Sequence, residues 1–162
     1  MSGRRFGALT ACLLALVLMI GTAGAGAASP TRTLKFLDIH IRYTAVGFAA
    51  SSTATPPIGS TEVFTGLLEN YNAQFGKPMG AHVGRIGLDC TVLSTAPDGL
   101  CTGIAHVPDG FFTFVGNGPF TNSNVRHYAI TGGVAAYVEA RGELTITTDS
   151  VGRSYAEVML YS

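Results

Sequence analysis

Beyond residue 28, the apolar positions of this chain recur at every second residue, and no stretch sustains the three-to-four spacing of a helix. Short runs rich in Val, Ile, Thr, Phe and Tyr alternate with glycine, proline and Asn/Asp punctuation. This pattern predicts eight strands, near residues 34–46, 61–70, 81–93, 100–106, 111–116, 126–131, 143–148 and 154–160. Turn signals fall at residues 56–59, 72–80, 97–99, 108–110, 116–119 and 149–152. Two of them, the Pro-Asp-Gly triplets at 97–99 and 108–110, join near-adjacent strands and favour an up-and-down meander. Eight short antiparallel strands in one domain predict an all-β, eight-stranded up-and-down barrel, because closure removes both exposed edges. At that strand number the interior holds packed side chains or one small ligand. The segment 48–57 is small and polar; it reads equally as a loop at the barrel mouth or as a connection without a role.

The first 28 residues read as an address. Arg4 and Arg5 form a charged start, residues 9–20 an apolar core, and residues 23–28 offer small-residue cleavage points. The apolar run is shorter than the roughly 18 residues that a spanning helix needs, so a cleaved signal peptide and a secreted product are expected. Cys12 precedes the apolar core, where a lipidation box would follow it, and Gly7 and Ala8 follow the arginine pair where twin-arginine export wants bulkier residues. The remaining residues, 29–162, suffice for a single domain with its own core.

Charge narrows the partners. Loss of Arg4 and Arg5 from ten Lys/Arg leaves eight against ten Asp/Glu, a formal −2. That balance argues against nucleic acid, which calls for a basic stripe, and against an anionic membrane surface. Charged residues make up only 12% of the chain, so its surface exposes much apolar and glycine-rich backbone, which is compatible with a homo-oligomer. Without Cys12, the cysteines are Cys90 and Cys101, on consecutive predicted strands near cross-strand positions. In an oxidising compartment the expected outcome is a disulfide, worth about 2–3 kcal/mol for so short a loop. A nucleophilic thiol is the alternative, with only Asp89 nearby to support it.

The most distinctive stretch is 129–144, Ala-Ile-Thr-Gly-Gly-Val-Ala-Ala-Tyr-Val-Glu-Ala-Arg-Gly-Glu-Leu. Physically it reads as strand, tight glycine turn, small packed plug and strand. It resembles the Gly-Gly-Thr-Gly-x-Phe-x-x-Ala-Arg-Gly signature of the allene oxide cyclase and dirigent barrels, with Val134-Ala135 for Thr-Gly and Tyr137 for Phe. Phe36-Leu37-Asp38-Ile39, residues 61–68, Gly84-Arg85-Ile86-Gly87 and residues 126–133 resemble further segments of that family, covering most of 34–147. The resemblance implies a calycin-like barrel with a ligand pocket, a trimer, and a cofactor-free reaction on a hydrophobic small molecule. The known activities are cyclisation of a fatty-acid-derived epoxide and stereochemical steering of phenoxy-radical or quinone-methide reactions.

With a period of two, Leu34, Phe36, Asp38, His40 and Arg42 share one face of the first strand, and Lys35, Leu37, Ile39, Ile41 and Tyr43 the other. By general burial preferences the three ionisable groups would face solvent. The resemblance implies the reverse, with the residue matching Asp38 inside the pocket. There, apolar walls would raise its pKa and suit it to general acid–base work, with Arg85 and Arg126 holding a carboxylate or developing oxyanion. Arg126 matches an arginine of dirigent pockets; the acidic companion found upstream of it in that family is missing here, where residues 119–124 offer only Thr, Asn and Ser as polar groups. Arg141 reads as a structural pin for its turn. His40, Arg42, Phe36, Tyr128 and Phe114 are the candidate substrate contacts. His82, His106 and His127 are scattered without metal-ligand spacing, and no metal is expected. Three readings follow: a cofactor-free cyclase or steering barrel, a non-catalytic carrier of an apolar ligand, and an interaction module with a packed interior.

Overall fold

The computed structural model describes residues 29–46, 56–94, 98–119 and 124–161. Residues 1–28, expected to be a signal peptide, and the greater part of segment 48–57 lie outside them. Eight strands follow in order: β1 (Arg32–Val46), β2 (Thr61–Asn70), β3 (His82–Val92), β4 (Asp98–Val107), β5 (Gly110–Pro119), β6 (Val125–Ala135), β7 (Arg141–Thr148) and β8 (Ser154–Tyr161). Each pairs antiparallel with the next, and β8 returns to β1, closing the barrel. The period-two alternation explains the closure: β8 buries Ser154, Ala156, Val158 and Leu160 and turns the residues between them outward. Leu34 and Phe36 of β1, Leu68 of β2, Phe112 and Phe114 of β5, Tyr128 and Ile130 of β6, and Leu144 and Ile146 of β7 complete the inner wall.

Two expected turns are strand instead. β5 runs on through residues 116–119, and β6 runs through Gly132-Gly133 to Ala135, so the turn falls at residues 136–139. Thr131 is the extra residue of a bulge, because Thr113 pairs with Gly132 while Phe114 pairs with Ile130. Gly132, at φ 144°, absorbs the kink and the ladder resumes. The excursion that follows carries Tyr137, a side chain with 0% exposure, into the barrel end. Arg141 Nη1 donates to the carbonyls of Thr131 (3.0 Å) and Ala140 (2.9 Å), pinning that turn.

Tyr137 and its neighbours close one end. The Tyr137 hydroxyl donates to Asp109 Oδ1 (2.8 Å), and Arg32 Nη2 donates to Asp109 Oδ2 (2.6 Å). The Arg32 guanidinium also lies 5.4 Å from the Tyr137 ring centre and 5.6 Å from that of Phe75, which stacks on Phe36. Burial, reinforced by the bond to Asp109, holds the Tyr137 phenol well above its ordinary pKa. The β2–β3 loop that brings Phe75 is anchored by buried Asn70, whose Nδ2 donates to the carbonyls of Gln74, Lys77 and Pro78.

Cys90 and Cys101 are directly paired across β3 and β4 and form a disulfide on the inner wall. With a sequence separation of 11, reduction is expected to lower unfolding stability by about 3 kcal/mol. Urea denaturation with and without reductant measures this; coincident midpoints would contradict it.

Candidate functional site

At the end opposite Tyr137, β1 finishes and β2, β4, β6 and β8 begin. From the plug towards it runs a ladder of aromatic rings. Tyr137 lies 5.3 Å from Phe112, Phe112 lies 6.3 Å from Phe114, and Phe114 meets Tyr128 edge-on at 5.5 Å. Glycines make room for it. A Cβ on Gly103 would lie 2.3 Å from the Phe114 ring, and one on Gly116 would lie 2.8 Å from the Tyr128 ring. The ladder ends beside Arg126, which shares the inner-facing series of β6 with Tyr128 and pairs with buried Ile146. Burial raises the Tyr128 pKa, and the Arg126 charge partly offsets that. Arg126 Nε is buried and has no hydrogen-bond partner among the described residues. A buried guanidinium donor left open costs free energy, so a ligand acceptor placed there would be stabilising.

The structure therefore brings four of the expected site residues together inside the barrel: Phe36, Phe114, Tyr128 and Arg126. Asp38 stands in register with Leu68 and Ser154, both buried, and so continues the series of Leu34 and Phe36. The side chains of Asp38, His40 and Arg42 are outside the described residues. The single face expected from Leu34 to Arg42 is interrupted, because a register shift between Ile39 and Arg42 inserts one residue. Beyond it Arg42 is opposite Thr65, an exposed position, while Tyr43 is opposite Phe64, which packs on the core.

Arg85 is elsewhere. It alternates with buried Ile86, pairs with Leu67 and His106, and is exposed on the outer surface, so it is no wall of the interior. It lines an open outer groove of about 630 Å³ with Thr65, Leu67, Ile104 and His106. Two further histidines are likewise outside: His82 is exposed, and His127 Nδ1 lies 2.5 Å from Glu143 Oε1 on the outer face of β6 and β7.

One interior residue escaped the sequence reading. Glu62 on β2 has only 8% exposure, on the series of Leu68 and Asn70, in register with inward-facing Cys90. The signal was available: Glu62 shares parity with Phe64 and Leu68, which alternation places inward.

No family model matches the chain, and no curated protein does. Solved structures do match. A pyocyanin demethylase superposes with a TM-score of 0.57 at 23% identity, over 80% of this chain and 98% of its own. A pterocarpan synthase dirigent protein gives 0.56 at 16%, over 80% of each. A Diels–Alderase from Streptomyces koyangensis gives 0.63 at 13%, over 81% of this chain and 63% of that one. The likeness is one of fold. Dirigent proteins and cyclase barrels share this closed eight-stranded architecture.

Proposed function

We propose that this chain is an exported barrel that takes one hydrophobic small molecule into its interior and directs its cyclisation or stereoselective coupling. The observation that carries the reading is the aromatic ladder, sealed at one end by Tyr137 and ending at the other beside the open Nε of Arg126. Such a chamber holds a flexible, reactive molecule in one shape, and orientation of that kind removes much of an intramolecular barrier. The structural neighbours, a pyocyanin demethylase, a pterocarpan synthase dirigent protein and a Diels–Alderase, are by name proteins of small-molecule chemistry. The sequence likeness to allene oxide cyclases and dirigent proteins points the same way. In this reading no cofactor is needed, Arg126 steadies developing negative charge, and Asp38, by its register, is the acid–base group.

We also infer a homo-oligomer, a trimer by the same likeness. Leu67 is 41% exposed on the outer face, and beside its groove lies a second of about 530 Å³, lined by Val63, Thr65, Ile104, Thr113 and Val115. The two grooves are lined mainly by apolar residues, glycine and threonine, with Arg85 and Asp89 at their edges, and such a face suits burial against a second copy.

A native mass spectrum of the protein purified from its producing cells tests both inferences. A bound apolar metabolite and a trimer mass are expected; a ligand-free monomer from repeated preparations would contradict them. Given that metabolite's precursor as substrate, Asp38→Asn is expected to lower turnover about a hundredfold or more while leaving ligand affinity nearly unchanged. An unchanged rate would remove Asp38 from the mechanism.

A further inference from the structure

Across the closed sheet from the grooves over β2 to β5, the outer face of β1, β8 and β7 has a different character. It presents two cross-strand rows: Lys35, Glu157 and Thr145 stand side by side in one, and Leu37, Tyr155 and Thr147 in the next. All six alternate with buried residues and so point outward. Tyr71, which follows β2, is tied to this face by its N–H, donated to the Lys35 carbonyl (3.1 Å). Its ring meets that of Tyr155 at 82°, with centres 5.7 Å apart, and the two make an aromatic corner. The corner walls an open recess of about 300 Å³ that Lys35, Thr145, Thr147 and Glu157 also line.

The fittings of this recess describe its ligand. The Tyr155 hydroxyl is committed to Asp149 Oδ2 (3.2 Å), which Arg153 Nε also holds (2.9 Å). Arg153 lies over the Tyr155 ring as well (6.0 Å), so Tyr71, 51% exposed, supplies the open ring surface. Lys35 Nζ donates to Glu157 Oε1 (3.0 Å), and both side chains are half open to solvent. A donor-only and an acceptor-only group thus sit together, and a hydroxyl is the ligand group that can accept from one and donate to the other. The charges cancel, with Lys35 and Arg153 against Glu157 and Asp149.

We propose that this recess is a second binding site, outside the barrel, for a neutral sugar ring. The C–H face of the ring lies on Tyr71, and its hydroxyls bridge Lys35, Glu157 and the threonine hydroxyls. A charged ligand would be drawn by one member of the ion pair and repelled by the other. A purely aromatic one would cover these polar groups without bonding them. None of these side chains lines the β2–β5 grooves or points into the chamber, so the site is independent of both.

Methyl glycosides of glucose, galactose, mannose and N-acetylglucosamine, titrated into isotope-labelled protein and read by backbone amide NMR shifts, test the proposal. At least one is expected to shift the amides of Lys35, Tyr71, Thr145 and Glu157 together and to saturate. No response from any of them at about 10 mM, ten times a millimolar Kd, would overturn the site. For the glycoside that binds, Tyr71→Ala and Glu157→Ala are each expected to weaken binding about tenfold, while Tyr71→Phe retains it. The amide spectrum itself shows whether a variant has folded. A second measurement needs no variant: the fully O-methylated glycoside keeps the ring and loses every hydroxyl donor, and is expected to bind at least about tenfold more weakly. Equal affinity of the two forms would overturn the proposal, as would phenol shifting these amides where no glycoside does.

Discussion

Replacing Tyr137 by alanine is expected to lower unfolding stability by about 4 kcal/mol, in the upper range for truncating a buried aromatic. Tyr137 fills the end of the barrel with no exposure, touches Phe112, and gives Asp109 one of its two partners. Alanine leaves a cavity where four elements meet: the start of β1, the β2–β3 loop, the β4–β5 turn and the β6–β7 excursion. Tyr137→Phe keeps the ring, and Asp109 keeps Arg32, so the loss there is expected to be about 1 kcal/mol. Urea midpoints of the two variants separate ring from hydroxyl. Equal losses would mean that the ring does not fill the end.

Gly133→Ala is expected to cost at least about 3 kcal/mol and to depress soluble yield, at the severe end of overpacking. Its Cβ would lie 2.2 Å from the Phe111 carbonyl oxygen, 2.6 Å from Tyr137 Cβ and 3.0 Å from Phe112 Cα. Two of the three neighbours are backbone of β5, which cannot rotate away as a side chain would. An urea midpoint at the wild-type value would show that β5 and β6 can separate locally, contrary to their ladder.

The same two residues show what the sequence revealed. The glycine pair, Tyr137 and Arg141 announced a plugged strand connection, and the plug is there. The chain does not turn at the glycines, because whether a Gly-Gly step ends a strand or bends it depends on the neighbouring strand's register. Strand number and pairing were legible from alternation, since apolar positions at every second residue have little choice once one face is covered. The site was legible only in part. Phe36, Phe114, Tyr128 and Arg126 fall on their inner faces by simple parity. Arg85 does not: it alternates with buried Ile86, Leu88 and Cys90, and a resemblance of motif carries no facing with it. In β1 the register shift between Ile39 and Arg42 ends the parity counted from Leu34, and one extra residue leaves no mark in composition. Glu62 went unread for another reason: a lone glutamate on a strand is ordinarily a solvated residue, and that expectation outweighs the parity it shares with Phe64 and Leu68 until its register with Cys90 is seen.

Because the Arg32–Asp109–Tyr137 clasp stops one end, a barrel working as proposed would be a blind alley and not a corridor. Whatever went in would come out the way it entered, so product and substrate would exclude one another. A spent molecule that lingered would then throttle the next turnover, and anything capping the far end would block loading and discharge alike.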